Sequence, residues 1–306
     1  MAAFGDQENK ARALLEEGEK VLNKKSLFGS LLGSNTQKYE DAAEKFAKAA
    51  NCFKVARKLK EAGDTYMRVA SMHEKCASAH EAASAFMEAG KCYKESYPAE
   101  SIGAMRSAIT HYTEMGRFSQ AAKLLKDVGE VYEADANYPD ARDCFQMAAD
   151  YFNGENSTQS ANACLIKVAT ISSKFISPPD YMGAAKIFED LGRSCTSTRL
   201  LQMNAKGYFQ QAVLCLMAAN DSVAARLKLD EFKSVDFTFG ASRECKFAED
   251  LCAAMETYDG DAFATASYEY DQVTALDPWK TTTLVTIKRL IEGGGGAGSA
   301  GDVDLT

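Results

Sequence analysis

The stretch AAEKFAKAANCFK at residues 42–54 returns as AASAFMEAGKCYK at residues 82–94. Two alanines, a phenylalanine, an alanine, a cysteine, an aromatic residue and a lysine recur in the same order at a shift of 40 residues. A related opening, AGDTY at residues 62–66, lies halfway between them. Self-similarity at a fixed period is the sequence sign of a repeat architecture.

Further openings of this kind continue along the chain, with a spacing close to 20 residues until residue 161 and of 23 and 21 residues after it. Within one unit the apolar positions fall at i, i+4, i+7 and i+11, as in Ala42, Phe46, Ala49 and Phe53, which is one face of an α-helix. A period of 20 residues leaves about 15 for the helix and a few for a turn, and short turns make neighbouring helices antiparallel. The later openings begin at Ile102, Ala121, Ala141, Ala161, Ala184 and Ala205.

Two such helices form a hairpin of about 40 residues, longer than the 34 residues of a tetratricopeptide (TPR) repeat. Each hairpin buries its apolar face against the next, which creates an extended concave surface. We therefore predict an all-α fold: a TPR-like right-handed superhelix of antiparallel helical hairpins, followed by a C-terminal helical bundle. The alternative is one compact helical bundle.

Two breaks in the pattern divide the chain. A Pro-Pro pair at residues 178–179 marks a loop, and the stretch 234–242 interrupts the periodicity. We predict a hairpin array over residues 1–232 with an apolar loop at 26–33, a C-terminal helical bundle over 233–292, and a flexible Gly-rich acidic tail over 293–306. Helices are expected at 242–257, 260–273 and 278–291, the last capped by Asp277 with Pro278 at its first position.

The net charge of −8 is unevenly distributed. Residues 231–306 contain 6 basic and 14 acidic residues, whereas the first 230 residues contain 29 of each. This asymmetry suggests two interaction surfaces of different character, or simply a solvated acidic end. An acidic chain without a basic run that includes aromatic residues is not expected to bind nucleic acid.

Signatures of catalysis are missing from the sequence. It contains no P-loop, no nucleophile elbow, no zinc-protease motif and no kinase motif. We expect neither catalytic residues nor a cofactor or metal, although a site assembled only by folding stays an alternative. The nine cysteines form no Cys-x-x-Cys pair and are expected to be reduced and mostly buried. With no secretory signal and no window of about 18 apolar residues, the cytosol is the expected location.

Two short segments suggest contacts with partners. In KKSLFGSLLGS at residues 24–34, the large apolar residues Leu27, Phe28, Leu31 and Leu32 lie in a Gly/Ser-rich loop beside two lysines, which favours a membrane interface. The alternative is a loop that packs on the first hairpin. In the tail, the apolar Leu305 lies on an acidic end, where it has either a binding role or none.

Several stretches in a fixed order resemble one known family. They are KYEDAA at 38–43, NCFK at 51–54, MGRF at 115–118, SREC at 242–245, LDPWKTT at 276–282 and the closing Asp304-Leu305. Together they resemble the alpha type of the soluble NSF attachment protein family, from about residue 8 to residue 292 and again in the tail.

The resemblance implies an adaptor that hydrolyses nothing. Family members coat the four-helix SNARE bundle left after membrane fusion, then recruit and stimulate the hexameric ATPase NSF, which pulls the bundle apart. Basic residues on the concave face would contact the acidic bundle. At matching positions the chain has Arg57, Arg117, Lys123, Lys167 and Lys206. One lysine position of the family is Ala163 here.

The resemblance also implies an acidic NSF-binding end and a membrane-attachment loop. The NSF contact would involve Asp221, Glu256, Asp302, Asp304 and Leu305. Two neighbouring acidic positions of the family are Ala253 and Thr257 here. The loop with Leu27, Phe28, Leu31 and Leu32 would hold the protein on the membrane surface, so we expect a cytoplasmic, peripherally membrane-associated adaptor of vesicle trafficking. The alternative function is a TPR-like chaperone or scaffold that binds peptide segments in a concave groove.

Overall fold

The computed structural model describes residues 2–24, 34–197 and 201–295, and in these residues all regular structure is helical. The prediction of an all-α chain is therefore confirmed. The helices are α1 (Ala2–Asn23), α2 (Ser34–Val55), α3 (Leu59–Lys75), α4 (Ala79–Tyr93), α5 (Pro98–Glu114), α6 (Phe118–Ala134), α7 (Tyr138–Gly154), α8 (Thr158–Lys174), α9 (Tyr181–Thr196), α10 (Gln202–Ala218), α11 (Ser222–Val235), α12 (Phe237–Gly240), α13 (Arg243–Glu256), α14 (Gly260–Val273) and α15 (Pro278–Gly295).

The chain divides into two compact units, Met1–Cys164 and Leu165–Thr306. In the first unit, consecutive helices pack as antiparallel hairpins. The hydroxyl of Tyr66 donates to Asn51 Oδ1 at 2.8 Å, and that of Tyr93 donates to Asp64 Oδ1 at 2.7 Å. Each bond joins two helices at similar distances from the turn that connects them, which only an antiparallel pair allows.

The repeated alanines occupy the helix contacts that the periodicity predicts. Four of these alanines are fully buried, and each lies three residues after the first residue of its helix: Ala62, Ala82, Ala121 and Ala141. A small side chain at these positions lets a neighbouring backbone approach closely. The repeat of about 20 residues thus places small residues at the contacts between helices.

Five turns of the array share one backbone geometry. Arg57, Ala77, Gly116, Ala136 and Asn156 all have a positive φ between 54° and 69°. The amide after each of them bonds back to the preceding helix, which is the Schellman way of ending a helix. Because alanine occupies two of these positions, the strained φ of Arg57 is a property of the turn and carries no sign of function.

The second unit is built around an aromatic cluster. Phe209 on α10 is fully buried, with its ring centroid 4.4 Å from that of Phe232 and 5.5 Å from that of Phe239. Trp279 packs edge-on against Phe188 and donates from Nε1 to Ser173 Oγ at 2.9 Å. These contacts join α8, α9, α10, α11, α12 and α15 in one core.

The predicted C-terminal helices are confirmed as α13, α14 and α15. Asp277 Oδ1 accepts from the Lys280 amide at 2.8 Å and Pro278 begins α15, as expected. The loop around the Pro-Pro pair separates α8 from α9. The interrupted stretch 234–242 holds the single-turn helix α12. The predicted boundary near residue 232 falls within the second unit and stays a prediction.

We predict that Gly192→Ala destabilises the protein although alanine favours helices. A methyl group added at Gly192 would lie 2.5 Å from Cε1 of Phe209, a ring that Phe232 and Phe239 hold in place. Overpacking of this kind costs about 1–3 kcal/mol, which exceeds the gain of about 0.5–1 kcal/mol from replacing a helical glycine. A lower midpoint of urea unfolding checks this.

Gly207→Ala is the matched control, because Gly207 lies in the next helix with no atom within 4 Å of an added methyl group. This change is expected to stabilise the protein by about 0.4–1 kcal/mol. The close approach of Gly192 to Phe209 would not be a packing constraint if both variants shifted the midpoint upward.

Candidate functional site

A cationic groove lies on the first unit between α6 and α8. The exposed residues Lys123 and Lys126 form one side, and Phe152 of α7 forms part of the floor. No carboxylate pairs with Lys123 among the described residues, and Lys126 has only a 4.0 Å contact with Glu130. The groove has a volume of about 340 Å³, and its remaining lining residues are Gln159, Ser160 and Ala163.

Lys126 and Ala163 alter the basic patch that the sequence predicts. Lys126 was not among the predicted contacts, although its position three residues after Lys123 places both on one helix face. Ala163 is exposed in the same groove. The lysine that the resemblance implies at this position would be a third cation beside Lys123 and Lys126, whereas alanine adds no charge to the groove.

The predicted arginines lie at opposite ends of the helices. Arg57 is in the turn between α2 and α3, and Arg117 is in the turn between α5 and α6. Successive turns of an antiparallel array alternate between its two ends, so these turns, three apart, are separated by a helix length of about 25 Å. Arg117 directly precedes α6, the helix that carries Lys123. The structure therefore places Arg117 at the end of the array where α6 begins and Arg57 at the other end, and Arg117 does not line the groove.

The other two predicted basic residues belong to the second unit. Lys167 is exposed on the second half of α8, and Lys206 is half-buried near the start of α10. They lie on different helices of this unit.

The predicted acidic residues Asp221 and Glu256 lie at the same end of the second unit. Glu256, the last residue of α13, accepts two hydrogen bonds from Arg226 of α11, at 3.0 and 3.1 Å. Nearer the other end of this pair, Lys233 of α11 contacts Glu249 of α13. These two links make α11 and α13 antiparallel, so α11 begins where α13 ends.

Both carboxylates already have partners inside the protein. Asp221 caps α11, and its Oδ1 accepts from the Ala224 amide at 2.8 Å. The hydrogen bonds from Arg226 lower the pKa of Glu256, and that of Arg226 is raised for the same reason. The sequence showed the charge of these residues but not the pairing of Glu256, because Arg226 is thirty residues away from it.

The described chain also ends here. Gly294 near the end of α15 lies against the ring of Tyr258. A Cβ added at Gly260 would lie 4.0 Å from Cγ of Glu292, which is also on α15. We call this part of the second unit the acidic end; its carboxylates are Asp221, Glu256, Asp259, Asp261 and Glu292. The predicted contacts Asp302, Asp304 and Leu305 lie outside the described residues, as do Leu27, Phe28, Leu31 and Leu32 of the predicted membrane loop.

The cysteines and the potential metal ligands complete the set of chemically reactive side chains. All nine cysteines are free, and seven are buried. Burial raises the pKa of Cys252 to about 12, so its thiol is not a nucleophile near neutral pH. Among the described residues, no group of three His, Cys, Asp or Glu side chains is placed to hold a metal ion. No described helix combines the length and apolarity needed to cross a bilayer.

Comparison of the sequence with known proteins points to one family. The sequence model of the family "Soluble NSF attachment protein, SNAP" matches residues 9–292. The alpha-soluble NSF attachment protein of Vitis vinifera is 39% identical over 90% of this chain and 94% of its own length. That of Mus musculus is 38% identical, over 92% of this chain and 95% of its own length. The beta-soluble NSF attachment protein of Bos taurus is 37% identical over 98% of both.

A solved structure, BtubC (BKLC) from P. vanneervenii, overlaps 78% of this chain and 93% of its own at 12% identity with a TM-score of 0.42. The assignment to a family thus depends on the sequence similarity.

We predict that the helix cap formed by Asp221 stabilises the protein independently of its charge. Asp221→Ala removes the helix cap and is expected to lower stability by about 0.5–2 kcal/mol, whereas Asp221→Asn keeps a capping side chain and is expected to change it by only a few tenths of a kcal/mol. Urea unfolding of both variants measures the difference. Asp250→Ala, an exposed change on α13, is the control and should stay within about 0.5 kcal/mol of the parent protein. Equal losses for alanine and asparagine at position 221 would contradict the capping role.

Proposed function

The chain belongs to the soluble NSF attachment protein family, and from this premise we propose that it is an adaptor of vesicle trafficking. It binds assembled SNARE bundles on membranes, then recruits and stimulates the ATPase NSF, which disassembles them. The observation that carries the proposal is the family match over residues 9–292, supported by relatives 37–39% identical over nearly the whole chain. The adaptor itself catalyses nothing.

The cationic groove supports the SNARE-binding part of the proposal. Lys123 and Lys126 are exposed, and Lys123 has no described carboxylate partner, so the groove can attract an acidic helical bundle. We propose that Arg117, which directly precedes α6, and the predicted residues Arg57, Lys167 and Lys206 contribute further contacts. Such charges set orientation and association rate more than affinity.

The acidic end is proposed to recruit NSF. Asp221 and Glu256 lie where α15 approaches the turn between α13 and α14, and the tail with Asp302, Asp304 and Leu305 continues from there. We propose that Leu305 stimulates ATP hydrolysis, and that the Gly-rich segment before it lengthens the tether.

Co-sedimentation tests the proposed function. The full chain, a preassembled SNARE bundle and NSF are mixed with a non-hydrolysable ATP analogue, and again with ATP and Mg²⁺. A ternary complex in the first mixture and release of free SNAREs in the second are expected. Failure of the chain to bind the bundle would leave only the scaffold alternative.

We predict opposite effects of two substitutions in the cationic groove. Lys123→Glu is expected to weaken binding of the SNARE bundle about tenfold because it replaces attraction by repulsion. Ala163→Lys is expected to strengthen binding by up to about fivefold, since one exposed ion pair contributes about 0.2–1 kcal/mol. Equilibrium binding to a fluorescently labelled bundle measures both.

Ala163→Gln is the matched control, because glutamine adds length without charge. The gain from Ala163→Lys should disappear near 1 M salt, where the Debye length is only about 3 Å. If lysine and glutamine at position 163 bound the bundle equally at low salt, the groove would not be part of the SNARE-binding surface.

We predict that Leu27→Ser with Phe28→Ser lowers disassembly of SNARE bundles anchored in liposomes but leaves that of soluble bundles unchanged. Membrane attachment concentrates the adaptor near anchored bundles, and removal of two large apolar side chains would weaken attachment. Disassembly rates on the two substrates are compared in parallel. A similar loss on soluble bundles would show that these residues serve the protein itself and not the membrane.

A further inference from the structure

A groove runs between α13 and α14 on the surface of the second unit. The part near the turn that joins the two helices has a volume of about 560 Å³, and the part further from the turn has a volume of about 270 Å³. Both parts are lined by Lys246, Asp250, Ala266 and Glu269, so they form one continuous groove. An elongated groove of this kind suits an extended segment of chain.

The lining of the groove changes along its length. Asp250 and Glu269 face each other in its middle, from α13 and α14. Nearer the turn the lining side chains are small and uncharged: Ala253, Ala254, Thr257, Ala262 and Thr265. A segment that enters from the turn must therefore pass two carboxylates, which disfavours acidic residues in this part of the groove.

The far end of the groove has cations on its α13 side. Arg243 contacts Glu244 at 3.2 Å. Lys246 is exposed, and no carboxylate of the described residues pairs with it. Lys246 is therefore a cation that remains available to an acidic partner at the far end.

The α14 side of the far end is apolar. Val273 lines the groove and is 70% exposed. The rings of Phe247 and Tyr270 stack below it, with their centroids 4.2 Å apart. The far end thus offers a positive charge from one helix and apolar surface from the other.

The sequence after α15 contains residues of matching chemistry in a matching order. Six small uncharged residues, GAGSAG at 296–301, precede DVDL at 302–305. Alternate side chains of an extended chain point to opposite sides, so the two aspartates would share one side and Val303 and Leu305 the other. The uncharged part fits the region with the two carboxylates, and the acidic, apolar part fits the far end.

The length of this segment is also sufficient. Gly294 lies against the ring of Tyr258, so α15 ends beside the turn at which the groove begins. From Thr257 to Lys246, α13 rises about 16 Å. Seven extended residues reach about 23 Å, from Gly295 to Asp302, and ten reach about 33 Å. The segment can therefore pass the turn and still reach the far end.

We infer that the DVDL segment at 302–305 binds the far end of the α13–α14 groove of its own chain. The aspartates pair with Lys246, and the apolar residues cover Val273 and the stacked rings. Because a short tether gives an effective concentration in the millimolar range, weak contacts are sufficient. One consequence rests on the proposed function: an ATPase that binds the tail must first displace it from the groove.

Photocrosslinking of the full chain tests the inference. Val303→p-benzoylphenylalanine places a photoreactive apolar group in the segment and retains both aspartates and Leu305. Isotope-labelled and unlabelled chains are mixed, so that mass spectrometry distinguishes crosslinks within one chain from crosslinks between two chains. We expect crosslinks within one chain, at the residues of α13 and α14 that line the far end of the groove.

A charge exchange in this background tests the pairing. Lys246→Glu is expected to lower the yield of groove crosslinks about fivefold, because it replaces attraction by repulsion at an exposed site. Adding Asp302→Lys and Asp304→Lys to Lys246→Glu should restore the yield. Lys186→Glu is the matched control, since Lys186 lies on α9 with its side chain 65% exposed, and the yield should not change.

Four outcomes would overturn the inference: no crosslinks in the groove, crosslinks only between chains, an equal loss in the Lys186→Glu control, and no recovery after the charge exchange. The assay contains neither SNARE bundle nor ATPase, so its result does not depend on the proposed function. That function fails separately, in the co-sedimentation experiment.

Discussion

The contact on which the array depends is that of an aromatic ring against a residue without a side chain. In four helix pairs, a ring of one helix fills the space that a Cβ would occupy on its neighbour: Phe46 at Gly18, Tyr93 at Gly63, Phe145 at Gly129 and Phe209 at Gly192. Close packing of this kind leaves no room for a larger residue at the glycine. It fixes the distance between helices, and the buried alanines keep that distance along the rest of the contact.

Fixed helix distances and recurring turns decide which charges can meet. Lys54 of α2 reaches Glu88 of α4 at 2.7 Å, and Lys94 after α4 reaches Glu130 of α6 at 2.9 Å. Pairs of this kind join helices that are two apart along the array. A residue such as Lys123, exposed and without a described carboxylate partner, stands apart from that pattern. Binding surfaces are thus recognised by the charges and apolar groups that the fold does not use.

The sequence was sufficient for the repeat, the helical class, the buried alanines and the three C-terminal helices, because each of these follows from local periodicity or from a cap such as Asp277. It was not sufficient for contacts between helices. The pairing of Glu256 with Arg226 and the joint position of Lys123, Lys126 and Ala163 depend on how residues about thirty to forty apart meet. The family resemblance correctly identified the family, but it transferred residue roles without showing that Asp221 also caps a helix.

The composition of the core also explains how an adaptor can be built from this chain. Alanine loses no side-chain entropy when it is buried, and an aromatic ring has only two rotatable bonds, so contacts between them cost little side-chain entropy. Each unit can therefore be well packed without large aliphatic side chains at every contact. Residues such as Leu227, Val223 and Lys123 are then available at the surface. Because the core requires small residues at fixed spacing and little else, the exposed faces can change their chemistry while the helical array stays the same.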